Sequence, residues 1–149
     1  MNYKQAQPIQ ILMADDDEDD RLLAQDAMEE SRVLNTFRFV KDGVELLEYL
    51  RNEGQFADKQ QYPRPNLILL DLNMPRMDGR EALQELKKDA SLRAIPVVIL
   101  TTSKEEEDKL KGYDLGAASY ITKPVDFDGL VELMKNLGKY WIEIVELPQ

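Results

Sequence analysis

A chain of 149 residues, 43% of them hydrophobic and 32% charged, has the room and the apolar content for one compact domain rather than a disordered or fibrous chain. It contains no histidine and no cysteine, which removes imidazole bases, Ser-His-Asp triads, thiolate nucleophiles, zinc fingers and disulfides and leaves carboxylates, hydroxyls and lysines for any chemistry. Its 29 acids against 19 bases give a net charge of -10, the wrong sign for nucleic acid or an anionic membrane, so basic proteins and hard cations are the expected partners.

The start, Met1-Asn2-Tyr3-Lys4-Gln5, lacks a signal-peptide pattern, and no apolar run approaches the roughly 20 residues of a membrane span, so the expected location is cytoplasmic. Ile9 to Ala14 reads as a strand that stops at Asp15-Asp16-Asp17-Glu18-Asp19-Asp20, after which Leu22, Leu23, Ala27 and Met28 recur at helical spacing. Phe37 to Val40 predicts a short strand. The turn Asp42-Gly43 and the stripe Val44, Leu46, Leu47 and Leu50 predict a helix after it. Residues 53–65 are polar and interrupted by proline, which reads as a long surface loop.

Leu67 to Leu70 is apolar at consecutive positions, the pattern of a strand covered on both faces, and it delivers Asp71 at its carboxyl end. The loop Asn73 to Gly79 leads to a helix with Ala82, Leu83 and Leu86 on one face. Val97 to Leu100 then forms a strand ending in Thr101-Thr102-Ser103, and Ser103 with Glu106 suggests a capping box. A helix carrying Leu110 and Tyr113 stops near Gly116, a short strand at Tyr120-Ile121 ends at Lys123-Pro124, and Leu130, Leu133, Met134, Leu137 and Trp141 mark a last helix. Five strands alternating with five helices predict an α/β fold of the doubly wound, flavodoxin-like class, a five-stranded parallel sheet of order 2-1-3-4-5 with helices on both faces.

In that order Asp15, Asp16 and Asp71 converge at the mouth beyond the first and third strands, and Thr101 and Lys123 close the fourth and fifth. Two carboxylates about 4 Å apart repel by roughly 4 kcal/mol at an effective dielectric near 20, so three ionised together call for a counter-charge. Mg²⁺ suits such a site, taking a few protein oxygens while leaving positions for water and a phosphate oxygen, and the chemistry suggested is phosphoryl transfer.

These residues are where the chain resembles the CheY-like receiver domains of two-component response regulators. Asp15-Asp16, Asp71 within Leu70-Asp71-Leu72-Asn73-Met74-Pro75, Met77-Asp78-Gly79, Thr101 and Lys123-Pro124 match that family's pattern in order across essentially the whole chain. Lys41-Asp42-Gly43-Val44-Glu45-Leu46-Leu47, Tyr120 to Val125 and the tail Tyr140-Trp141-Ile142-Glu143 look like its phytochrome-associated, single-domain branch. That branch usually carries Glu-Asp-Asn-Pro where this chain has Asp15-Asp16-Asp17-Glu18, a more acidic site. The resemblance implies one receiver domain over residues 1–149 with a C-terminal helix or tail extension from about residue 139. It implies that Asp71 accepts a phosphoryl group from a sensor histidine kinase, a phytochrome type among the candidates, and that Asp16, Asp71 and the Asn73 carbonyl ligate Mg²⁺ while Asp15 holds metal-bound water. It further implies that Lys123 pairs with the phosphoryl oxygens, Thr101 switches toward the phosphate, Tyr120 follows, and Lys123-Pro124 is cis. Such a protein signals by contact and is not a turnover enzyme.

Blander readings stand beside these. The run Asp15 to Asp20 also reads as a solvated acidic helix start, favourable at a helix N-terminus, with Asp17 to Asp20 free of any role. As a calcium loop it fails, since Asp20 sits where such a loop needs glycine and a strand precedes it. A haloacid-dehalogenase-like phosphatase would want an acid where Asn73 stands, and a phosphorylation-independent pseudo-receiver would not need Asp71, Asp16 and Lys123 together. If the last helix continues through Trp141 over Ile144 and Val145, its excess apolar face predicts a homodimer through that helix and the tail.

Overall fold

The computed structural model describes residues 9–30, 35–111 and 115–140. Its elements run β1 (Ile9–Ala14), α1 (Glu18–Glu30), β2 (Asn35–Val40), α2 (Gly43–Leu50), β3 (Leu67–Asp71), α3 (Gly79–Lys88), β4 (Val97–Thr101), α4 (Lys104–Lys111), β5 (Ser119–Thr122) and α5 (Phe127–Tyr140), with one 3-10 turn at Gly54–Phe56. All four strand pairings are parallel, and the sheet order is β2-β1-β3-β4-β5, as the alternation predicts.

Side chains of successive strand residues go to opposite faces, and this period of two builds two cores. Leu12, Ala14, Ile68, Leu70, Val97 and Ile99 pack with Leu46, Leu47, Leu83, Leu86 and Leu110 of α2, α3 and α4. Ile11, Met13, Leu67, Leu69, Val98 and Leu100 pack with Ala24, Ala27, Met28, Met134 and Leu137 of α1 and α5. Every residue of β3 and β4 is buried, which is why these strands show no polar alternation.

Local chemistry sets the helix starts that border the sheet's carboxyl edge. Asp17 accepts from the backbone N–H of Asp19 (2.8 Å) and Asp20 (3.2 Å) at the start of α1. Asp42 caps α2 through Glu45 N–H, and Asp78 with Glu81 forms a reciprocal capping box on α3. At α4 only half of the expected box forms. Ser103 Oγ accepts from Glu106 N–H (3.1 Å), but Ser103 N–H donates to Thr101 Oγ1 (3.2 Å), and the Glu106 carboxylate faces Arg80 instead (4.0 Å).

Two further expectations are corrected. Leu22 and Leu23 are 58% and 45% exposed, whereas Ala27 and Met28 of the same expected stripe are buried, together with Ala24. The loop after α2 lies at the surface as expected, with residues 53–55 and 57–61 exposed, and is anchored by Phe56, which is buried with its ring 5.3 Å from Tyr49 and 5.1 Å from Tyr62. The Lys123-Pro124 bond is trans, the intrinsically favoured isomer, and Lys123 reaches the cleft from it. Tyr113 and Trp141, and with Trp141 the helix extension, lie outside the described residues. No helix among the described residues is long and apolar enough to cross a membrane.

Candidate functional site

The site is assembled at the carboxyl edge of the sheet, where four strands end in polar residues. Asp15 follows β1, Asp71 ends β3, Thr101 ends β4 and Lys123 follows β5. The parallel register aligns these ends. Ala14 pairs with Leu70, Asp71 with Leu100 and Thr101 with Thr122, so the next residues emerge side by side. Glycine permits the approach of α3, because a Cβ at Gly79 would sit 2.5 Å from the Asp71 carbonyl oxygen.

Carboxylate oxygens of Asp15, Asp16 and Asp71 lie within 4.8 Å of one another. Asp15 is fully buried, Asp71 is 8% exposed, and Asp16 is exposed. Asn73 lies in the loop beyond β3, exposed, and lines an open depression with Asp16, Met74, Pro75 and Asp78. Two buried acids facing an exposed third, open to solvent on one side, form a hard oxygen donor set with room for water, which fits a hydrated divalent cation such as Mg²⁺.

The Lys123 ammonium, on a side chain only 12% exposed, is the counter-charge inside this cluster. Its Nζ stands 2.9 Å from Asp15 Oδ2, 3.1 Å from Asp20 Oδ2 and 3.5 Å from Asp71 Oδ1. Burial pushes the Asp71 carboxyl up to about 6, with Asp15 and Asp16 adding to the rise against the opposing Lys123. Burial disfavours the Lys123 ammonium, yet the charges of Asp71, Asp15 and Asp20 outweigh it and hold the lysine protonated well above its ordinary range.

Thr101 is buried, whereas Thr102 is exposed. The Tyr120 side chain packs against the α4 side of the sheet, and its hydroxyl is buried with no hydrogen-bond partner among the described residues. An unpartnered buried hydroxyl is unfavourable, which sets against the favourable burial of the ring in that core.

Sequence reasoning left Asp20 without a role, and the structure puts its carboxylate on Lys123. Asp20 lies in the first turn of α1, and Asp16 lies in the bend just before that helix, so both acids belong to the segment that borders the cleft. Two other groups were also missed. Arg76, at φ 62 in the loop after β3, donates to both Asp42 oxygens (2.8 and 3.2 Å), tying that loop to the start of α2. Glu107, buried on α4, accepts from Thr122 Oγ1 and pairs with Lys104 (3.2 Å) and Lys111 (2.7 Å). The lysines at i-3 and i+4 were a legible signal for that cluster.

Comparison with known proteins places this geometry. The response regulator Rcp1 of Synechocystis sp. is 38% identical over 141 residues, covering 95% of this chain and 94% of that protein. The crystal structure of the phosphorylated cyanobacterial phytochrome response regulator RcpA superposes with a TM-score of 0.81 at 40% identity, covering 96% of this chain and 100% of that one. The Mn²⁺-bound form of Rcp1 gives a TM-score of 0.78 at 37% identity, covering 95% and 100%. The profile of the response regulator receiver domain matches residues 11–135, which takes in every strand end that contributes to the acidic cleft. With nearly the whole chain aligned and the sheet order shared, the protein belongs to the response regulator receiver domain family.

Proposed function

We propose that the protein is a phosphoacceptor of a phosphorelay, taking a phosphoryl group onto Asp71 from a phosphohistidine of a sensor kinase in a Mg²⁺-dependent transfer. The observation that carries this reading is one lysine buried among carboxylates at the ends of adjacent parallel strands, with Asp71 beside it at 3.5 Å. The chain has no histidine, so the donor is another molecule. An Asp71 carboxylate oxygen attacks phosphorus, the phosphorus–nitrogen bond breaks, and its electron pair returns to the donor imidazole, leaving an acyl phosphate on Asp71.

Asp16, Asp71 and the Asn73 carbonyl would hold Mg²⁺, with Asp15 on its hydration side, and the ion would supply charge neutralisation for the transferred group. Lys123 donates to the phosphoryl oxygens from the opposite side, and its persistent positive charge suits it to that role. The buried Thr101 hydroxyl turns to donate to the phosphoryl group, and Tyr120 moves into the space this opens. Support for the two ligand classes comes from relatives, one described as phosphorylated and one as Mn²⁺-bound. A phytochrome-type kinase is the partner to try first, since RcpA is described as a phytochrome response regulator.

Asp71 accepts the group stoichiometrically, so the protein signals by contact, as one receiver domain with its C-terminal extension, and does not turn over substrate. Homodimerisation through α5 and the tail remains part of the proposal, and light scattering after gel filtration tests it. The central test is incubation with a phosphorylated sensor kinase or acetyl phosphate and Mg²⁺. Label is expected on the wild type and not on Asp71→Asn. Undiminished label in that variant would defeat the reading.

A further inference from the structure

The family pattern accounts for Asp15, Asp16, Asp71 and Lys123, but it leaves a fourth acid unexplained. Asp20 stands on the first turn of α1 with its carboxylate 3.1 Å from Lys123 Nζ, and no other side-chain partner for that carboxylate is found among the described residues. Asp15 is differently placed. It is fully buried, one of its oxygens accepts from Asp17 N–H (3.0 Å), and the other accepts from Lys123 (2.9 Å), so it stays in position.

Lysine has three N–H donors on a compact, rotatable head. Two are committed to Asp15 and Asp20 at hydrogen-bond distance, while Asp71 lies farther off at 3.5 Å. A phosphoryl group on Asp71 brings roughly -1.5 to -2 charge and three acceptor oxygens to the same ammonium. The third N–H can donate to one phosphoryl oxygen, but a second donor from Lys123 comes only by drawing it away from one carboxylate, and Asp20 is the one that can yield, because its side chain is 40% exposed and can turn to water.

We propose that Asp20 is a positioning residue that holds the Lys123 ammonium on the α1 side of the cleft and so opposes phosphoryl binding at Asp71. The inference rests on the phosphoacceptor reading and adds to it a built-in competitor for the lysine. Asp20 also contributes a negative charge that the incoming anion meets, which acts in the same direction. Removing it raises affinity for a phosphoryl group. If Asp20 instead served to orient Lys123 productively, its removal would lower that affinity, so the sign of the effect separates the two roles.

Beryllium trifluoride, a stable stand-in for the phosphoryl group, is titrated by calorimetry at saturating Mg²⁺ into the wild type, Asp20→Asn and Asp19→Asn. Asp19 is an exposed neighbour with no contact to Lys123, so its variant removes the same charge without freeing the lysine. Asp20→Asn is expected to bind about threefold or more tightly than the wild type, as loss of a half-exposed ion pair implies. Asp19→Asn is expected to change affinity by less than about half of that factor, given screening at an exposed position. Mg²⁺ affinity, titrated separately, is expected to change less than beryllium trifluoride affinity in Asp20→Asn. Unchanged or weaker binding in Asp20→Asn overturns the inference alone, as does equal tightening in Asp19→Asn. Absence of binding by the wild type overturns it together with the phosphoacceptor reading.

Discussion

Two neighbouring residues at the end of β5 anchor ion clusters of opposite character. Thr122 donates to Glu107, a single buried carboxylate that also meets Lys104 and Lys111. Lys123, next in the chain, is a single buried cation that meets Asp15, Asp20 and Asp71. Lys111 and Thr122 hold the Glu107 carboxyl down to about 2 against the effect of burial. Burial and like charges drive the Asp71 carboxyl up to about 6. The first cluster is complete and fastens α4 to the sheet, whereas the second has more negative charge than its lysine neutralises. A surplus of buried negative charge is what a divalent cation relieves, and of these two clusters it is the second that the proposed phosphoacceptor reading draws on.

The comparison breaks most sharply at Lys123. Lys123→Met leaves Asp15 and Asp71 buried without their cation, and a loss of about 3 to 5 kcal/mol is expected in urea unfolding of the metal-free protein at pH 7.5. Next in size is Asp71→Asn. The carboxyl rises from 3.8 unfolded to about 6 folded, so the native state holds its proton longer and ionised Asp71 destabilises the fold by about 3 kcal/mol above pH 6. The variant is therefore expected to be more stable than the wild type at pH 7.5 without metal. The gain shrinks as pH falls from about 6 to about 4 and disappears below that, and denaturant titrations at both ends check it.

Glu107→Gln sharpens the contrast with the opposite sign. A loss of about 1 to 3 kcal/mol is expected at pH 7, because a buried charge-assisted network loses its acceptor charge. The wild-type advantage is present above the unfolded value of 4.5 and is lost as pH falls toward about 2, which thermal unfolding against pH follows. Smallest is Arg80→Ala, which removes an exposed pair to Glu106 at 4.0 Å. Less than about 0.5 kcal/mol is expected, so a larger change would mean that surface pairs cannot serve as the reference for either cluster.

Much of this architecture was legible because it is local. Apolar runs at 67–70 and 97–100 announce buried strands, and the polar residue that stops each run marks its carboxyl end. Since parallel strands align those ends, Asp15, Asp71, Thr101 and Lys123 could be assigned to one mouth before any coordinates. What escaped was directional. Of the stripe Leu22, Leu23, Ala27 and Met28, the last two are buried as expected, whereas Leu22 and Leu23 are exposed and Ala24 takes the buried place in their turn of α1. The trans Lys123-Pro124 bond departs from the isomer the family resemblance implied.

By itself, then, the sequence determined the element order, the doubly wound class and the identity of the acids that could meet at the sheet edge, through periodicities that act over a few residues. Only the tertiary structure decided how charge is shared there. Lys123 meets Asp15 across 108 positions of chain and Asp20 across 103, and no local pattern encodes a partner at that separation. Which carboxylates a buried ammonium touches depends on side-chain reach between elements that meet only in the folded chain. Those packing details turn a run of acids that reads as solvated surface into one residue set against the lysine and another left to cap a helix.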